Sequence, residues 1–401
     1  MKPRIFINMH YMEIGGAERA LLGLLNAIDT DKVDVDLFIN QHTGEFLKLI
    51  PEKINLLPEI SAYSVIEKPI TTAIKKGHFG IAFARLIAKY KYKRYLKNIS
   101  NTQIFVEGST THYVADEIIR YLPSLKHLGE YDLAISFLDP PHIVQDKVMA
   151  KKTIEWIHTD FSYVSVNYNV EFPRWNKNDY IASISPDITA QFLKTFPTLR
   201  DKIIEIENIL SPAFIHQQSK LYIPAEMQGD CIKFCSIGRF CHAKNFENIP
   251  YIAQLLKKKG LKFRWFIIGF GDINETIENI KKTNTADCVI LLGKKENPYP
   301  YIANCNIYIQ PSRYEGKSVT VREAQILGKP VIITNYPTAK SQVQDGFDGI
   351  ICNMDNNSIA DAVYNLATDK NKQTEISEYL LSHDYGNESE VNKIYKILTH
   401  V

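Results

Sequence analysis

Two carboxylates at a fixed spacing are the best candidates for a chemical role: Glu315 and Glu323 are separated by seven residues. Ser318 lies between them and precedes a helical pattern, so it is the candidate N-cap of a helix. The amides of Val319 and Thr320 would then point out of the helix start, where the helix dipole favours an anion. The stretch therefore combines an anion site with two carboxylates, which accept hydrogen bonds from hydroxyl groups.

These features match a ligand that carries a diphosphate between two polyols, which is the constitution of a nucleotide sugar. A rise of roughly 1.5 Å per residue places Glu323 about 7 Å further along the helix than the amide donors. The same spacing is also typical of a surface helix with two solvated glutamates, so spacing alone leaves both interpretations open. The helix should end at Gly328, and the β-branched run 331–334 predicts a strand.

The stretch resembles the E-x7-E segment of the family 4 retaining glycosyltransferases, which have the GT-B fold. The resemblance implies that Glu315 contacts the donor sugar and that Glu323 holds the ribose hydroxyls. It also implies that the intervening residues form the diphosphate and sugar pocket, and these are Gly316, Lys317, Ser318 and Val319. Lys317 departs from the apolar residue expected at its position, which bears on the shape of the sugar pocket.

Two cations lie before a predicted helix in the second half of the chain: Arg239 follows the predicted strand 232–237, and Lys244 precedes a helix predicted over 246–258. A guanidinium can grip a phosphate with two hydrogen bonds, and an ammonium acts as a point charge. The alternative is a pair of surface cations, which a helix N-terminus disfavours. The resemblance implies that both cations neutralise the departing diphosphate, and that Lys294 lies beside the nucleobase.

The first half contains two further candidates. Gly15 and Gly16 lie between a predicted strand, 4–9, and a predicted helix, which is the first unit of a doubly wound fold. A glycine pair is also typical of a tight turn, but the resemblance includes this G-G-x-E-R segment and implies close approach to the donor phosphates or the acceptor. His158 ends another predicted strand; it is either a structural histidine or, as the resemblance implies, a residue facing the donor sugar.

Residues 68–97 contain nine Lys or Arg and no Asp or Glu, with aromatic residues interleaved. Such a basic amphipathic segment favours an anionic membrane surface. The alternative is a solvated helix face whose lysine stems cover the edge of the core. No recognition module accompanies the segment, so we do not expect nucleic-acid binding.

Length and composition set further bounds. At 401 residues the chain is long enough for two domains, and a net charge of +2 argues against general nucleic-acid binding. The six cysteines show no paired spacing, so we expect reduced thiols in a cytoplasmic protein and no metal site. Asp34 and Asp36 form an Asp-x-Asp, but they alternate along a predicted strand, which favours two solvent-facing side chains over a metal site. The N-terminus lacks a signal-peptide pattern, and no apolar run predicts a membrane span.

The sequence as a whole predicts an α/β protein of the GT-B class, with two Rossmann-like doubly wound domains facing across a cleft. We expect an acceptor-binding domain over 1–208, onto which a C-terminal helix at about 385–401 packs back, and a nucleotide-sugar-binding domain over 209–384. The predicted function is retaining transfer of a hexosyl group from a UDP-sugar to a glycan or lipid-linked acceptor, in surface polysaccharide biosynthesis at the inner face of the membrane. We expect no prosthetic group and no metal requirement. The alternatives are a GT-B sugar-nucleotide epimerase and a catalytically silent GT-B partner subunit.

Overall fold

A computed structural model describes residues 2–98, 106–159, 161, 164–315 and 317–399. The chain divides into two compact units. Unit 1 comprises residues 1–209 and 388–401, and unit 2 comprises residues 210–387. Over the described ranges, every helix is too short or too polar to cross a lipid bilayer.

Unit 1 is built on a parallel sheet of seven strands, in the order β11-β10-β8-β6-β1-β2-β3. The strands of unit 1 are β1 (Arg4–Met9), β2 (Asp34–Ile39), β3 (Asn55–Leu56), β4 (Val106–Glu107), β5 (Glu130–Tyr131), β6 (Leu133–Ser136), β7 (Met149–Ala150), β8 (Thr153–Ile157), β9 (Val164–Ser165), β10 (Tyr180–Ser183) and β11 (Ile203–Glu205). Of these, β4 pairs with β9 and β5 pairs with β7 outside the large sheet. The chain order reverses between β1 and β6. Ligands bind at such a switch point in doubly wound sheets, beyond the carboxyl ends of the strands.

Helices cover this sheet: α1 (Gly16–Ala27), α2 (Ile70–Lys75), α3 (Phe79–Asn98), α4 (Thr110–Ile118), α5 (His142–Lys147), α6 (Tyr168–Lys177) and α7 (Pro186–Thr195). The C-terminal helix of the chain, Val391–Thr399, also belongs to unit 1. There the Tyr395 hydroxyl accepts a hydrogen bond of 2.8 Å from the Asp29 amide. Helix α1 packs closely against residue 209 at Gly23. A Cβ at this position would lie 1.8 Å from the Ile209 carbonyl oxygen, so only glycine fits there.

Unit 2 is built on a second parallel sheet, in the order β14-β13-β12-β15-β16-β17. Its strands are β12 (Ile232–Ile237), β13 (Phe263–Ile268), β14 (Val289–Gly293), β15 (Ile307–Gln310), β16 (Val331–Thr334) and β17 (Ile350–Cys352). Alternate residues of the central strands enter two separate hydrophobic clusters, so both faces of the sheet are buried. The switch point lies between β12 and β15.

The helices of unit 2 are α8 (Pro212–Ser219), α9 (Ile249–Lys258), α10 (Asn274–Thr283), α11 (Tyr299–Asn304), α12 (Val319–Ile326), α13 (Ala339–Gln342), α14 (Asn356–Thr368) and α15 (Lys370–Ser382), and the C-terminal helix of unit 1 is α16. Ser318 is the N-cap of α12, and Gly328 follows the helix with a φ of +67°, as its sequence predicts. The helix predicted from residue 246 begins as a 3-10 turn, Phe246–Asn248, before α9.

Residues 130–136 form two strands: β5 pairs with β7, and β6 belongs to the large sheet. One sequence expectation is corrected. Asp34 is exposed as expected, but the expectation was wrong for Asp36, whose carboxylate accepts hydrogen bonds from Arg4, Asn55 and Tyr131. Because it neutralises a neighbouring guanidinium, Asp36 has a structural role at the sheet edge.

Candidate active site

The loops that leave β12 and β15 lie together at the switch point of unit 2. The Arg313 amide donates to the carbonyl of Ala243 at 2.8 Å, and Asn245 Nδ2 donates to the carbonyl of Pro311 at 2.9 Å. Asn245 takes a left-handed conformation with a φ of 60°, which asparagine tolerates better than most residues. These bonds fix the loop that carries Arg239 and Lys244 against the loop that carries Glu315.

Lys244 and Glu315 form an ion pair at this point. The Nζ atom of Lys244 lies 2.5 Å from Oε1 of Glu315, and the two side chains are 20% and 11% exposed. Two predicted site residues, 71 positions apart, are therefore in direct contact. A partly buried pair is less screened by solvent than a surface pair, so each side chain holds the other in place.

A chain of buried hydrogen bonds leads to Glu315 from inside the sheet. The Tyr308 hydroxyl donates to Gln310 Oε1 at 2.8 Å, and Gln310 Nε2 donates to Ser312 Oγ at 2.9 Å. Ser312 Oγ then donates to Glu315 Oε1 at 2.6 Å. Sequence reasoning missed these residues, although polar side chains at every second position of an otherwise apolar strand were a usable signal.

The N-terminus of α12 lies beyond Glu315. The Ser318 amide donates to Gln342 Oε1 at 3.0 Å, and Gln342 Nε2 donates back to the Ser318 carbonyl at 2.6 Å. The amides of Val319 and Thr320 follow in the first turn, where a helix supplies no carbonyl partner. Lys317 is exposed, and Gly316 lies outside the described residues.

Glu323 lies on the buried side of α12 and is fully shielded from solvent. Its Oε1 accepts a hydrogen bond of 2.9 Å from the hydroxyl of Tyr299, which is the first residue of α11. The sequence placed Glu323 at a site by spacing but did not reveal this partner. The Tyr299 hydroxyl therefore fixes the orientation of the Glu323 carboxyl group.

Arg239 and Lys294 lie over the ring of Phe270. The guanidinium carbon of Arg239 is 5.6 Å from the ring centroid, and Lys294 Nζ is 5.4 Å from it. Phe270 follows β13 and is 49% exposed. The structure thus brings two predicted cations to one aromatic face, which sequence reasoning did not single out. Cations within about 6 Å of an aromatic face are attracted to it.

In unit 1, Gly15 and Gly16 lie at the start of α1, as expected. A Cβ at Gly15 would lie 2.0 Å from Glu18 Oε2, so the carboxylate of Glu18 occupies that space. A Cβ added at Gly16 would have no heavy atom of the described residues within 4 Å. The space beside Gly16 is therefore open, whereas the space beside Gly15 is occupied by Glu18.

His158 follows β8 at the carboxyl edge of the same sheet. Its ring packs against Phe137, with centroids 4.8 Å apart, and stacks on Trp156 at 6.2 Å. Burial lowers the pKa of His158 to about 4, and a hydrogen bond to the Phe137 backbone only partly opposes this shift. The imidazole is therefore neutral at neutral pH. Its Nε2 atom is shielded from solvent and has no hydrogen-bond partner among the described residues.

No group of three or more His, Cys, Asp or Glu side chains is arranged to hold a metal ion within the described part of the chain. The six cysteines are all free thiols, and all lie in unit 2. Burial raises the pKa of Cys305 to about 12 and that of Cys288 to about 11, so these thiols stay protonated.

The chain is similar to known glycosyltransferases. Residues 225–381 match the family described as glycosyl transferases group 1, and this range contains the positions of Arg239, Lys244, Glu315 and Glu323. An uncharacterized glycosyltransferase of Haemophilus influenzae is 25% identical over an alignment of 409 positions, which covers 99% of this chain and 100% of the relative.

Two solved structures resemble the whole chain. One is a variant of S. aureus TarM in complex with fondaparinux, alpha-GlcNAc-glycerol and UDP, with a TM-score of 0.65, 14% identity and 99% of each chain covered. The other is HepE of Anabaena in complex with UDP and glucose, with a TM-score of 0.64, 14% identity and 100% of each chain covered. The fold is that of the GT-B glycosyltransferases, and the family match together with the relatives indicates a transferase of glycosyl groups.

Proposed function

We propose that this protein is a retaining hexosyltransferase that moves a hexosyl group from a UDP-sugar to a hydroxyl of a glycan or lipid-linked acceptor, in the synthesis of a surface polysaccharide. The observation that carries the proposal is the Lys244–Glu315 pair beside the N-terminus of α12, at the switch point of unit 2. The bound UDP of the TarM and HepE structures supports the choice of UDP, and the alpha-linked GlcNAc-glycerol in TarM supports retention.

The proposed reaction places growing negative charge on the departing diphosphate. The bond between the anomeric carbon and the diphosphate oxygen breaks, and a bond to the acceptor oxygen forms on the same face of the sugar. The acceptor proton passes to the departing diphosphate. Arg239, Lys244 and the Val319 amide stabilise the charge that grows on the diphosphate, which is usually the largest catalytic contribution. These groups provide the positive charge that a divalent metal supplies elsewhere, so we propose a reaction without a metal requirement.

The remaining roles follow from position. Glu315 accepts hydrogen bonds from the hydroxyls of the transferred sugar, since Lys244 and Ser312 already hold its carboxylate in place. Glu323 accepts hydrogen bonds from the ribose, while Tyr299 orients it. Lys294 and Phe270 provide a cation and a flat apolar face for the base.

Calorimetric titration with UDP, GDP and ADP, with and without EDTA, tests the donor site. We expect UDP to bind without metal. Glu323→Gln should lower the affinity for UDP by roughly tenfold or more, because a hydrogen bond to a charged group contributes about 1.5–3 kcal/mol. The glutamine keeps the side-chain shape and can still accept from Tyr299. Glu278→Gln, on the exposed face of α10, is the matched control and should bind UDP like the native protein. Absence of binding by all three nucleotides would refute the donor site.

Two alternatives predict different products. A sugar-nucleotide epimerase would convert the UDP-sugar without any acceptor, and a silent partner subunit would bind UDP without turnover. Chromatography of the sugar nucleotide after incubation with and without a glycan acceptor separates these outcomes from transfer.

The basic segment supports a membrane-facing location. It forms α2 and α3, and α3 exposes Phe79, Phe83, Leu86 and Tyr90 on one side, since their spacing of four, three and four residues follows the helical repeat. Lys89 and Lys93 are exposed along the same helix. We propose that this face lies on an anionic membrane surface, with the apolar side chains in the interface and the lysines at the headgroups. Cosedimentation with anionic vesicles measures this association.

A further inference from the structure

A cavity of about 220 Å³ lies at the switch point of unit 1, beyond the carboxyl ends of β1, β2 and β6. His10 and Asn40 line it directly after β1 and β2, and Pro140 lines it after β6. Thr110 and Thr111 of α4 also line it and are exposed, so the cavity opens at the surface. An apolar cavity of about 150 Å³ is already large enough to bind a small hydrocarbon such as benzene. The volume is therefore sufficient for part of a ligand.

The wall of this cavity is mostly aliphatic. One face of α4, continued past the 3-10 turn Ile119–Tyr121, and two other segments form it: Val114, Ala115, Ile118 and Leu122 lie on the first, and Ile66 and Ile143 lie on the others. At a rise of roughly 1.5 Å per residue, the face over residues 114–122 is roughly 12 Å long. None of the described residues that line the cavity is Phe, Tyr or Trp. A long aliphatic wall favours a flexible chain, because flat rings pack preferentially on aromatic faces.

This wall is continuous with the hydrophobic core of unit 1. Ile118, Leu122 and Ile143 are buried and belong to the cluster that packs against the large sheet. Native interiors contain few voids larger than a water molecule, and each such void destabilises the fold. A cavity of this size that reaches the core and also opens at the surface therefore indicates an occupant that supplies the missing contacts.

Polar side chains of the cavity are linked at the carboxyl end of β1. Nδ1 of His10 lies 2.5 Å from Oε1 of Glu67, so Nε2 is the ring atom through which His10 can bind a ligand. Burial would raise the pKa of Glu67, but the hydrogen bond and charge of His10 and the charge of Arg85 lower it. Arg85 itself donates to the backbone carbonyls of Val65 and Lys68. The ionised carboxylate disfavours a phosphate at this end and favours a neutral headgroup with hydroxyls.

Helix α3 connects this cavity with the face that we propose to lie on a membrane. Arg85 of α3 lines the cavity, whereas Phe83 and Leu86 of the same helix are exposed. Helix α3 packs on α4, and the ring centroids of Tyr92 and Tyr113 are 5.7 Å apart. The cavity is thus separated from the exposed apolar face by one helix, which is roughly 10 Å across. A lipid on that side of α3 is the nearest source of an aliphatic chain.

We propose that this cavity binds a single aliphatic chain, and that the chain belongs to a lipid-linked acceptor whose neutral headgroup lies beside the His10–Glu67 pair. The assignment to the acceptor rests on the proposed function. The binding of a chain rests on residues of unit 1 and involves none of the UDP-binding residues of unit 2. A phospholipid of the bilayer is the other source of such a chain, and the experiment distinguishes the two.

Calorimetric titration of the full chain with hexanol, octanol, decanol and dodecanol tests the binding of a chain. The affinity should rise by roughly fourfold for each added methylene, which corresponds to about 0.8 kcal/mol, until the chain fills the cavity. Beyond that length the affinity should stop rising, because further methylenes stay in water. This levelling distinguishes a cavity of fixed length from general adsorption to apolar surface.

Variants of α4 place the chain in this cavity. Ala115→Phe fills part of the space and should lower the affinity for decanol by roughly tenfold or more, since several methylenes lose their contacts. Val114→Phe, at a less buried position of the same wall, should have the same effect and replaces the first variant if thermal unfolding shows that it does not fold. Ala190→Phe, at an exposed position of α7, is the matched control and should bind decanol like the native protein.

Two ligands with the same chain length identify the source of the chain. Decyl α-glucoside carries a neutral sugar, and didecanoyl phosphatidylglycerol carries a phosphate. We expect decyl α-glucoside to bind more tightly than the phospholipid in the native protein and to lose its affinity in Ala115→Phe. Equal or tighter binding of the phospholipid would overturn the assignment to the acceptor.

The binding of a chain is overturned if the native protein binds none of the alkanols, or if the folded cavity variant binds decanol as the native protein does. These outcomes are independent of UDP binding. Binding of alkanols without binding of UDP would refute the donor site only, and the converse would refute the chain cavity only.

Discussion

Acidification should charge His158 only at about two and a half pH units below an ordinary histidine. The side chain lies between Phe137 and Trp156, and burial lowers its pKa from 6.5 to about 4. Its Nε2 has no partner in the described part of the chain, so the backbone hydrogen bond to Phe137 involves Nδ1. The neutral ring therefore carries its proton on Nδ1, and its unprotonated Nε2 is enclosed by the protein.

The pKa shift of His158 gives the free-energy cost of protonating this side chain in the folded protein. One pKa unit corresponds to about 1.36 kcal/mol, so protonating His158 in the folded protein costs about 3 kcal/mol more than in the unfolded chain. Because the folded pKa is depressed, the unfolded state binds the proton first as the pH falls. The stability that His158 contributes is thus complete above pH 6.5 and is lost as the pH falls toward 4. By linkage, about 2 kcal/mol is lost between pH 7 and pH 5.

Proton NMR of the imidazole measures this directly. At pH 5 His158 should be about 9% protonated, whereas a histidine with a pKa of 6.5 would be about 97% protonated. His158→Asn identifies the resonance by its disappearance, and its amide can keep the bond to the Phe137 carbonyl. A titration midpoint near 6.5 for the missing resonance would refute the argument that burial depresses the pKa of His158.

Two further predictions concern other parts of the chain. Ser312→Ala removes the hydrogen-bonded link between Gln310 and Glu315. The affinity for a UDP-hexose should fall by roughly five- to thirtyfold, which corresponds to about 1–2 kcal/mol, and the affinity for UDP should not change. Calorimetry with both ligands measures these affinities, and an equal loss for both would contradict a role of Glu315 at the sugar. Combined Lys89→Glu and Lys93→Glu should lower affinity for anionic vesicles by roughly tenfold or more, at about 1 kcal/mol per basic residue near the surface. Exposed Leu221→Glu in unit 2 should leave sedimentation unchanged, and equal affinities for all three proteins would rule out docking through α3.

The site of unit 2 was largely predictable because its residues follow strands directly. Parallel strands place their carboxyl ends at one edge, so a lysine after β12 and a glutamate after β15 are brought together by topology alone. Only the strand order is needed to predict that Lys244 and Glu315 lie close together. The apolar runs in the second half of the chain indicate where these strands are. The orientation of Glu323 was not predictable in this way. Which side of α12 faces inward depends on α11, and Tyr299 lies 24 residues earlier in the chain.

A buried polar cluster of unit 1 was not predictable for a related reason. His112 lies on α4, Asp139 follows β6, Glu155 lies on β8 and Glu171 lies on α6, so no short motif joins them. Each residue alone resembles an ordinary surface residue in sequence, and only the packed structure shows that three of them are almost completely buried. Burying carboxyl groups is costly unless they are paired or protonated. The structure places the imidazole of His112 2.7 Å from the carboxylate of Asp139, and burial next to Asp139 raises the pKa of Glu155, which favours its neutral form.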